Sequence, residues 1–385
     1  MILNFGPHHP ATHGVLRLLL WVDSEYMHKA QVHLGYLHRG FEKLAENRTY
    51  EQFIPMVDRL DYLSGLCNSY SLVLAIEKLF GITPPKRADY IRVIMMELQR
   101  LSTHVFWVAA FAIDLGAITP MFYCFREREV ILDFMEMVAG GRMTFNFHRV
   151  GGVKQDLPEG FKDKLLHFLQ NDFKQKIEDY DTLLRGNRII LHRCRGVGII
   201  PKDEAINCGL TGPNLRGSGV KWDIRKEDPY SVYDELDFDV PVGEKGDVYD
   251  RYLVRLEEMR QSARILEQAL KKIPDGPIMT DDPRVRRPDK EHVMDNPESL
   301  IRYCHVINEG IRPPVGEVYS RIEGPRGEFG YYLVSNGASS PYRAFIRVPT
   351  TVSLTTTDRI CRGRLIGDLA AILGGFDVVL GETDK

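Results

Sequence analysis

A chain of 385 residues has room for two or three structural units and for a core that stands without disulfides. Its 50 lysines and arginines against 53 aspartates and glutamates leave a net charge of -3, which excludes the basic footprint of a nucleic-acid binder or of a membrane-surface protein. With 44% hydrophobic and 27% charged residues, the composition is globular and neither disordered, collagenous nor multi-span. The cysteines at 67, 124, 194, 208, 304 and 361 form no CxxC clip, and no charged-then-apolar leader opens the chain. Both features point to reduced thiols in a cytosolic type of compartment.

In chain order, residues 1–50 read as strand-like. Val15 to Val22 forms one strand, closed by Asp23-Ser24, and a second runs from Gln31 to Leu37. The period then changes. Leu63, Leu66, Tyr70 and Leu74 mark a helix that ends at Gly81 ahead of Pro84-Pro85. Ile91, Ile94, Met95, Leu98, Leu101 and Val105 put one apolar stripe on a long helix. The apolar stretch Val105–Phe125 approaches the length of a membrane span, but Asp114, Gly116 and Pro120 interrupt it, so the spacing predicts a buried core helix that stops near Asp114. Further helices are predicted over Arg126–Val138 and Phe161–Leu184. Tyr252, Leu256, Met259, Ala263, Leu266 and Leu270 step like a bundle helix. After Pro313-Pro314 the period returns to two over Glu317–Ile322, Tyr331–Val334 and Ala344–Val348, with a turn at Gly324–Gly327, as in a small antiparallel sheet. The expected class is α+β: an N-terminal α+β region (1–55), a central helical bundle (56–275) and a C-terminal α+β region (276–385). Asp275–Asp289 is the expected linker.

Few residues stand out chemically. GPHHPATHG crowds His8, His9 and His13 into a glycine- and proline-bounded loop. A zinc site there is disfavoured because no cysteine and no second close histidine pair accompanies it. His28, His33 and His38 are five apart and cannot converge on one face. His13 suits a proton donor better, and Asp114, an acid ending an apolar run, is a candidate to fix its other ring nitrogen; a capping role for Asp114 is equally open. In VDRLDYLSG the acids fit an ordinary helix start, yet Arg59 and Tyr62, three apart on a helical turn, would point the same way. Such a pair could hold a negative redox centre and protonate a ligand. The tail GGFDVVLGETDK, with Asp377 and Glu382, shows no role of its own.

The strings GPHHPATHGVLRL, GYLHRGFEKLAENRTY, DRLDYLSG, IRVIMMELQRLSTH, GAITPMFYCFRERE, GLTGPNLRGSGVKWDIRK and GEVYSRIEGPRGEFGYYLVS resemble the family of the core electron-transfer D subunit of NADH:quinone oxidoreductase, respiratory complex I. The likeness runs from residue 4 to about 385. That family is similar in fold to the large subunit of nickel-iron hydrogenases, whose two CxxC pairs correspond here to DRLDYLSG and FDVVLGE, both without cysteine. A nickel-iron centre needs four soft thiolates, so a metal-dependent hydrogenase is excluded on ligand grounds and no metal is expected.

The resemblance implies a cavity for a quinone headgroup, whether ubiquinone, menaquinone or plastoquinone, where the metal once sat. It implies that His13 and Tyr62 donate hydrogen bonds to the two quinone carbonyls and that Asp114 orients His13. It implies that Arg59 and Arg39 lie near a terminal 4Fe-4S cluster held by the neighbouring B subunit. The C and I subunits and the membrane-embedded H subunit are further implied partners, with no cofactor on this chain and no nucleic acid. The implied location is peripheral, on the cytoplasmic side of a membrane, or the matrix or stromal side in an organelle. The electron donor, NADH, ferredoxin or a deazaflavin, would be chosen by other subunits. The chain departs from the pattern at Thr144, where many members carry a histidine that ties the cluster's potential to pH; His148 stands nearby as a substitute.

Overall fold

The structure, a computed structural model, describes residues 1–7, 14–288 and 290–385. Its centre is the helix Lys86–Asp114, which packs against Thr119–Ala139 and Val248–Lys272 and is met by Gly65–Phe80. Between Ala88 and Ala112 only Asp89, Phe106 and Ala110 are not fully buried, as expected of a helix that is covered on nearly every side. Proline and glycine set its limits. Pro85 precedes it, and Gly116, at φ 87°, turns the chain away after Asp114. Gly65–Phe80 ends likewise on Gly81 in the left-handed region, whose amide reaches the carbonyls of Glu77 and Lys78.

Three predicted elements differ in extent. The helix expected from Arg126 begins at Thr119, because Pro120 starts a helix well in its first turn. The expected Phe161–Leu184 helix is helical throughout but contains a π stretch, Phe168–Phe173, between Phe161–His167 and Lys174–Arg185. Phe134 packs on Phe161 and Phe168 there, with ring centroids 5.9 and 5.6 Å away. The second N-terminal strand is Tyr26–His33 and not Gln31–Leu37, since Ser24 at φ 52° closes a tight hairpin. Residues 41–46 are helical, against the strand-like expectation for that region.

Two three-stranded antiparallel sheets flank the bundle. Ile2–Phe5, Arg17–Asp23 and Tyr26–His33 form one; Gly316–Gly324, Gly327–Ser335 and Arg343–Arg347 form the other. The second sheet packs on Gly65–Phe80, which brings its Gly324–Gly327 turn, and with it Arg326, into the interior. The chain then runs through the helices Pro349–Thr355 and Asp368–Phe376, and the second of these lies against the central helix. The tail Asp377–Asp384 is buried, and Leu380–Thr383 is a short helix.

Candidate functional site

The site is built where the Asp58–Ser64 turn meets the buried tail. The preceding helix, Tyr50–Val57, starts on a capping box between Thr49 and Gln52 and delivers the turn at its end. The turn is pinned from behind. Asn68 Nδ2 donates to the carbonyls of Val57 and Asp61 at 3.1 and 3.0 Å, and Thr103 Oγ1 donates to that of Leu63 at 2.9 Å. The Asp61 carboxylate faces inward, accepting from Leu63 N at 3.1 Å, from Ser64 Oγ and from Arg326 Nη1. Arg326 also grips the tail, donating through Nε to the Asp377 carbonyl at 3.1 Å and pairing with its carboxylate at 3.0 Å.

Tyr62 lies against that tail. A Cβ on Gly381 would stand 2.4 Å from the Leu60 carbonyl and 3.0 Å from Tyr62 Cδ1, so only glycine permits this approach. Burial, and after it the Asp61 carboxylate, push the phenol's pKa up; Arg326 and Arg39 pull it down. Arg39 Nη2 donates to the Gly381 carbonyl at 2.6 Å, and burial lowers its own pKa. Asp384 closes the ring by accepting from the amides of Gly35 and Leu37, both at 2.8 Å. Glu382, fully buried, accepts from Thr350 N at 3.2 Å and from Thr350 Oγ1.

His13 lies outside the described residues, as do His8 and His9. Its neighbour Gly14 abuts the tail, where a Cβ would come within 3.2 Å of Leu380 Cδ1. Asp114, at the end of the central helix, packs against the Asp368–Phe376 helix: a Cβ on Gly374 would sit 2.9 Å from its Oδ2. Trp107 Nε1 donates to the Gly374 carbonyl at 2.8 Å and stacks on Phe111, which walls this side.

The sequence reading paired Arg59 with Tyr62 on a helical turn. Residues 58–64 are instead irregular turns, and exposed Arg59 bends back to donate to the Pro55 carbonyl. The cations that act on Tyr62 are Arg326 and Arg39. Thr144 is exposed in a loop joined to this turn by the Asn146 amide, which donates to Asp58 Oδ2 at 2.7 Å. His148 cannot stand in for a titrating histidine at 144. Burial, then the Arg92 and Arg149 charges, hold its pKa well below the ordinary value, and its Nδ1 is engaged with Ser69 Oγ at 3.2 Å.

The sequence alone marks neither Arg326 nor Thr350, and gives the tail with Asp377 and Glu382 no role of its own. A signal was present: three acids in an otherwise apolar terminal run, and an arginine inside a GPRG turn. Among the described residues no group of three or more histidines, cysteines or acids is arranged to hold a metal ion.

With this geometry in hand, comparison with known proteins is specific. The family described as respiratory-chain NADH dehydrogenase, 49 Kd subunit, matches residues 114–385. The NADH-quinone oxidoreductase D subunit of Geotalea uraniireducens (strain Rf4) is 51% identical over 385 residues, covering 100% of this chain and 98% of its own. The D 2 subunit of the same enzyme from Rhizobium meliloti (strain 1021) is 48% identical over 386 residues, covering 100% and 95%. The D subunit from Chromobacterium violaceum is 47% identical over 410 residues, covering 100% and 98%.

Proposed function

The chain belongs to the family of the 49 kDa subunit of respiratory-chain NADH dehydrogenase, a subunit of an oxidoreductase complex, and we propose that its turn-and-tail site is where that complex reduces quinone. In this reading the headgroup sits between Tyr62 and the His13 loop, within a cavity shared with the neighbouring subunit that carries the terminal iron-sulfur cluster and supplies electrons. Other complex I subunits complete the peripheral arm on the cytoplasmic side of the membrane. Among the described residues no helix is long and apolar enough to cross a membrane.

The chemistry follows from charge. A reduced quinone oxygen in a cavity poor in water is costly until it is protonated or paired. Tyr62, with its pKa raised, keeps its proton until a strongly basic oxygen forms beside it, and then releases it to a tyrosinate eased by Arg39 and Arg326. His13 would serve the opposite carbonyl, and Asp114 would hold its ring. Arg59, exposed in the turn and donating to the Pro55 carbonyl, would face the neighbour's cluster; Arg39 is committed to the tail. The observation that carries the reading is convergence: Tyr62, Arg39 and Gly14, from three segments, all contact Leu380–Gly381.

The test is quinone reduction by the assembled complex carrying Tyr62→Phe. A loss of about a hundredfold, with NADH oxidation by an artificial acceptor unchanged, is expected. Full quinone turnover in that variant would refute the reading.

A further inference from the structure

We propose that a basic groove beside the Asp58–Ser64 turn docks an extended acidic segment of a neighbouring subunit of the complex. The inference rests on the chain's membership of a multisubunit oxidoreductase and not on the quinone reading. Two cavities, of about 470 and 330 Å³, share one wall, Arg286-Arg287. The first opens between the Tyr50–Val57 helix, the strand pair His148–Arg149 and Gly152–Val153, and residues 278–287. Asn146, whose amide holds Asp58 of the turn, lines it too. The second opens between the shared wall and residues 292–302, at the Pro297–Cys304 helix.

The groove is built in advance of any occupant. Val153 N donates to the Ile278 carbonyl at 3.1 Å and Thr280 N to the Gly151 carbonyl at 2.8 Å, so residues 278–280 run as an added antiparallel strand on the hairpin. Gly152 allows this approach, since a Cβ there would stand 2.1 Å from the Ile278 carbonyl oxygen. Asp282 then caps a turn, accepting from Arg284 N at 2.9 Å, and the turn carries Arg286 and Arg287 to the shared wall. A preformed wall loses little freedom on binding.

Its cations exceed its anions. Arg149, Lys154, Arg286, Arg287 and Arg302 line the cavities against Glu51 and Asp295. Glu51 is taken by Arg287 at 3.0 Å, and Arg286 pairs with Asp281. Half-buried Arg149 and Arg302 have no carboxylate partner among the described residues. The hydrogen bonds of Arg149 all leave Nη1, at 2.9 Å to the Asn146 carbonyl, Asn146 Oδ1 and the His148 carbonyl, so Nε and Nη2 are unspent. Arg302 gives Nη2 to the Arg286 carbonyl at 3.3 Å, and its Nε is buried without a partner. Burial, and after it the Arg287 charge, lower the Arg149 pKa against the weaker pull of Glu51 and Asp58, as when cations crowd with no anion between them. The floor of the first cavity is apolar, with Ile54, Val150, Ile278 and Val285. Carboxylates matched to the unspent guanidiniums, with apolar side chains between them, answer both features. A compact phosphate would fill one cavity and leave the apolar floor bare, whereas an extended chain occupies both.

The experiment is carbodiimide coupling on the purified assembled complex, which joins the Lys154 amine to a carboxylate at ion-pair distance with loss of water, followed by peptide mapping. The expected product joins Lys154 to an aspartate, glutamate or C-terminal carboxylate of another subunit. Coupling of Lys86 to Glu235, 2.8 Å apart, shows in the same digest that the reaction ran. Arg149→Glu and Arg287→Glu should each lower the yield of the Lys154 product about tenfold and make the complex come apart at lower salt. Arg264→Glu, at an arginine that pairs with Asp237 and Asp239 and lines neither cavity, should leave the yield unchanged. Lys154 left uncoupled, or coupled only to carboxylates of this chain such as Glu51, beside the Lys86–Glu235 product overturns the inference. So does a yield that neither groove variant lowers. If Arg149→Glu does not assemble, the wild-type product and Arg287→Glu decide. Quinone turnover in Tyr62→Phe bears on none of these outcomes, so the groove and the quinone reading fail separately.

Discussion

Tyr62 gains its character from two neighbours that the local sequence does not supply. Its raised pKa comes from burial beneath a tail more than 300 residues away in sequence, and the cation that moderates it from within the core is Arg326 on a hairpin turn. The same distance between cause and effect governs Thr144. Threonine takes up no proton, and neighbouring His148 stays neutral because burial and two arginines disfavour its charged form. In the proposed assembly, where the partner's terminal cluster lies beside this loop, its midpoint potential should therefore vary little with pH across neutrality, and Thr144→His should steepen the variation. A redox titration of the purified complex reads this directly. A wild-type slope approaching one proton per electron would contradict the account.

At the scale of elements, the sequence is legible where a period carries the signal. The central helix, its stop at Asp114, the Gly81 cap and the C-terminal meander all follow from spacing and from glycine and proline chemistry. The π stretch at Phe168–Phe173 does not, since a single-register shift leaves the apolar pattern intact. The tail was opaque for another reason: Asp377 finds its partner in Arg326 and Glu382 in Thr350, and periodicity holds no record of such long-range pairs. Its docking depends on the absence of a side chain at Gly381. Gly381→Ala drives a methyl into the Leu60 carbonyl and the Tyr62 ring, and should destabilise the chain by about 1–3 kcal/mol while lowering quinone turnover. Gly367→Ala, where a Cβ meets nothing within 4 Å, is the control and should change neither. Unfolding temperatures and quinone rates of the two complexes make the comparison.

Across the whole molecule, a buried ionic network joins the elements that hold the site. Arg216 pairs with Glu258 at 2.6 Å and with Glu323 at 2.8 Å; Arg225 bridges Asp223 and Glu97; His104 on the central helix meets Glu258 at 2.9 Å. Composition disclosed the charges but not their burial, because nothing local distinguishes Arg216 from a surface arginine. Arg216→Met leaves two buried carboxylates without their main cation and should cost about 3–5 kcal/mol, read as loss of the chain from the complex or a lower unfolding temperature. The network also sets opposite pH limits. Burial pushes the Asp223 carboxyl up, but Arg225 and Arg216 outweigh it and hold it at about 2, so its contribution is present above the ordinary aspartate range and is lost as pH falls. Glu382 works in reverse: its raised pKa gives stability that is present at low pH and lost as pH rises through about 8. Glu382→Gln should accordingly flatten the loss of stability between the ordinary glutamate range and about pH 8 in a thermal unfolding series, and leave the dependence below that range unchanged.

The central claim is that the headgroup lies between Tyr62 and the His13 loop, beside the buried tail. The most direct measurement is photolabelling of the assembled complex with a quinone that carries an azide on its ring, followed by peptide mapping of this chain. Adducts within residues 8–14 or 58–64, displaced by excess unmodified quinone, are the predicted result. Displaceable labelling of this chain confined to other segments, with these two unmodified, would contradict the account.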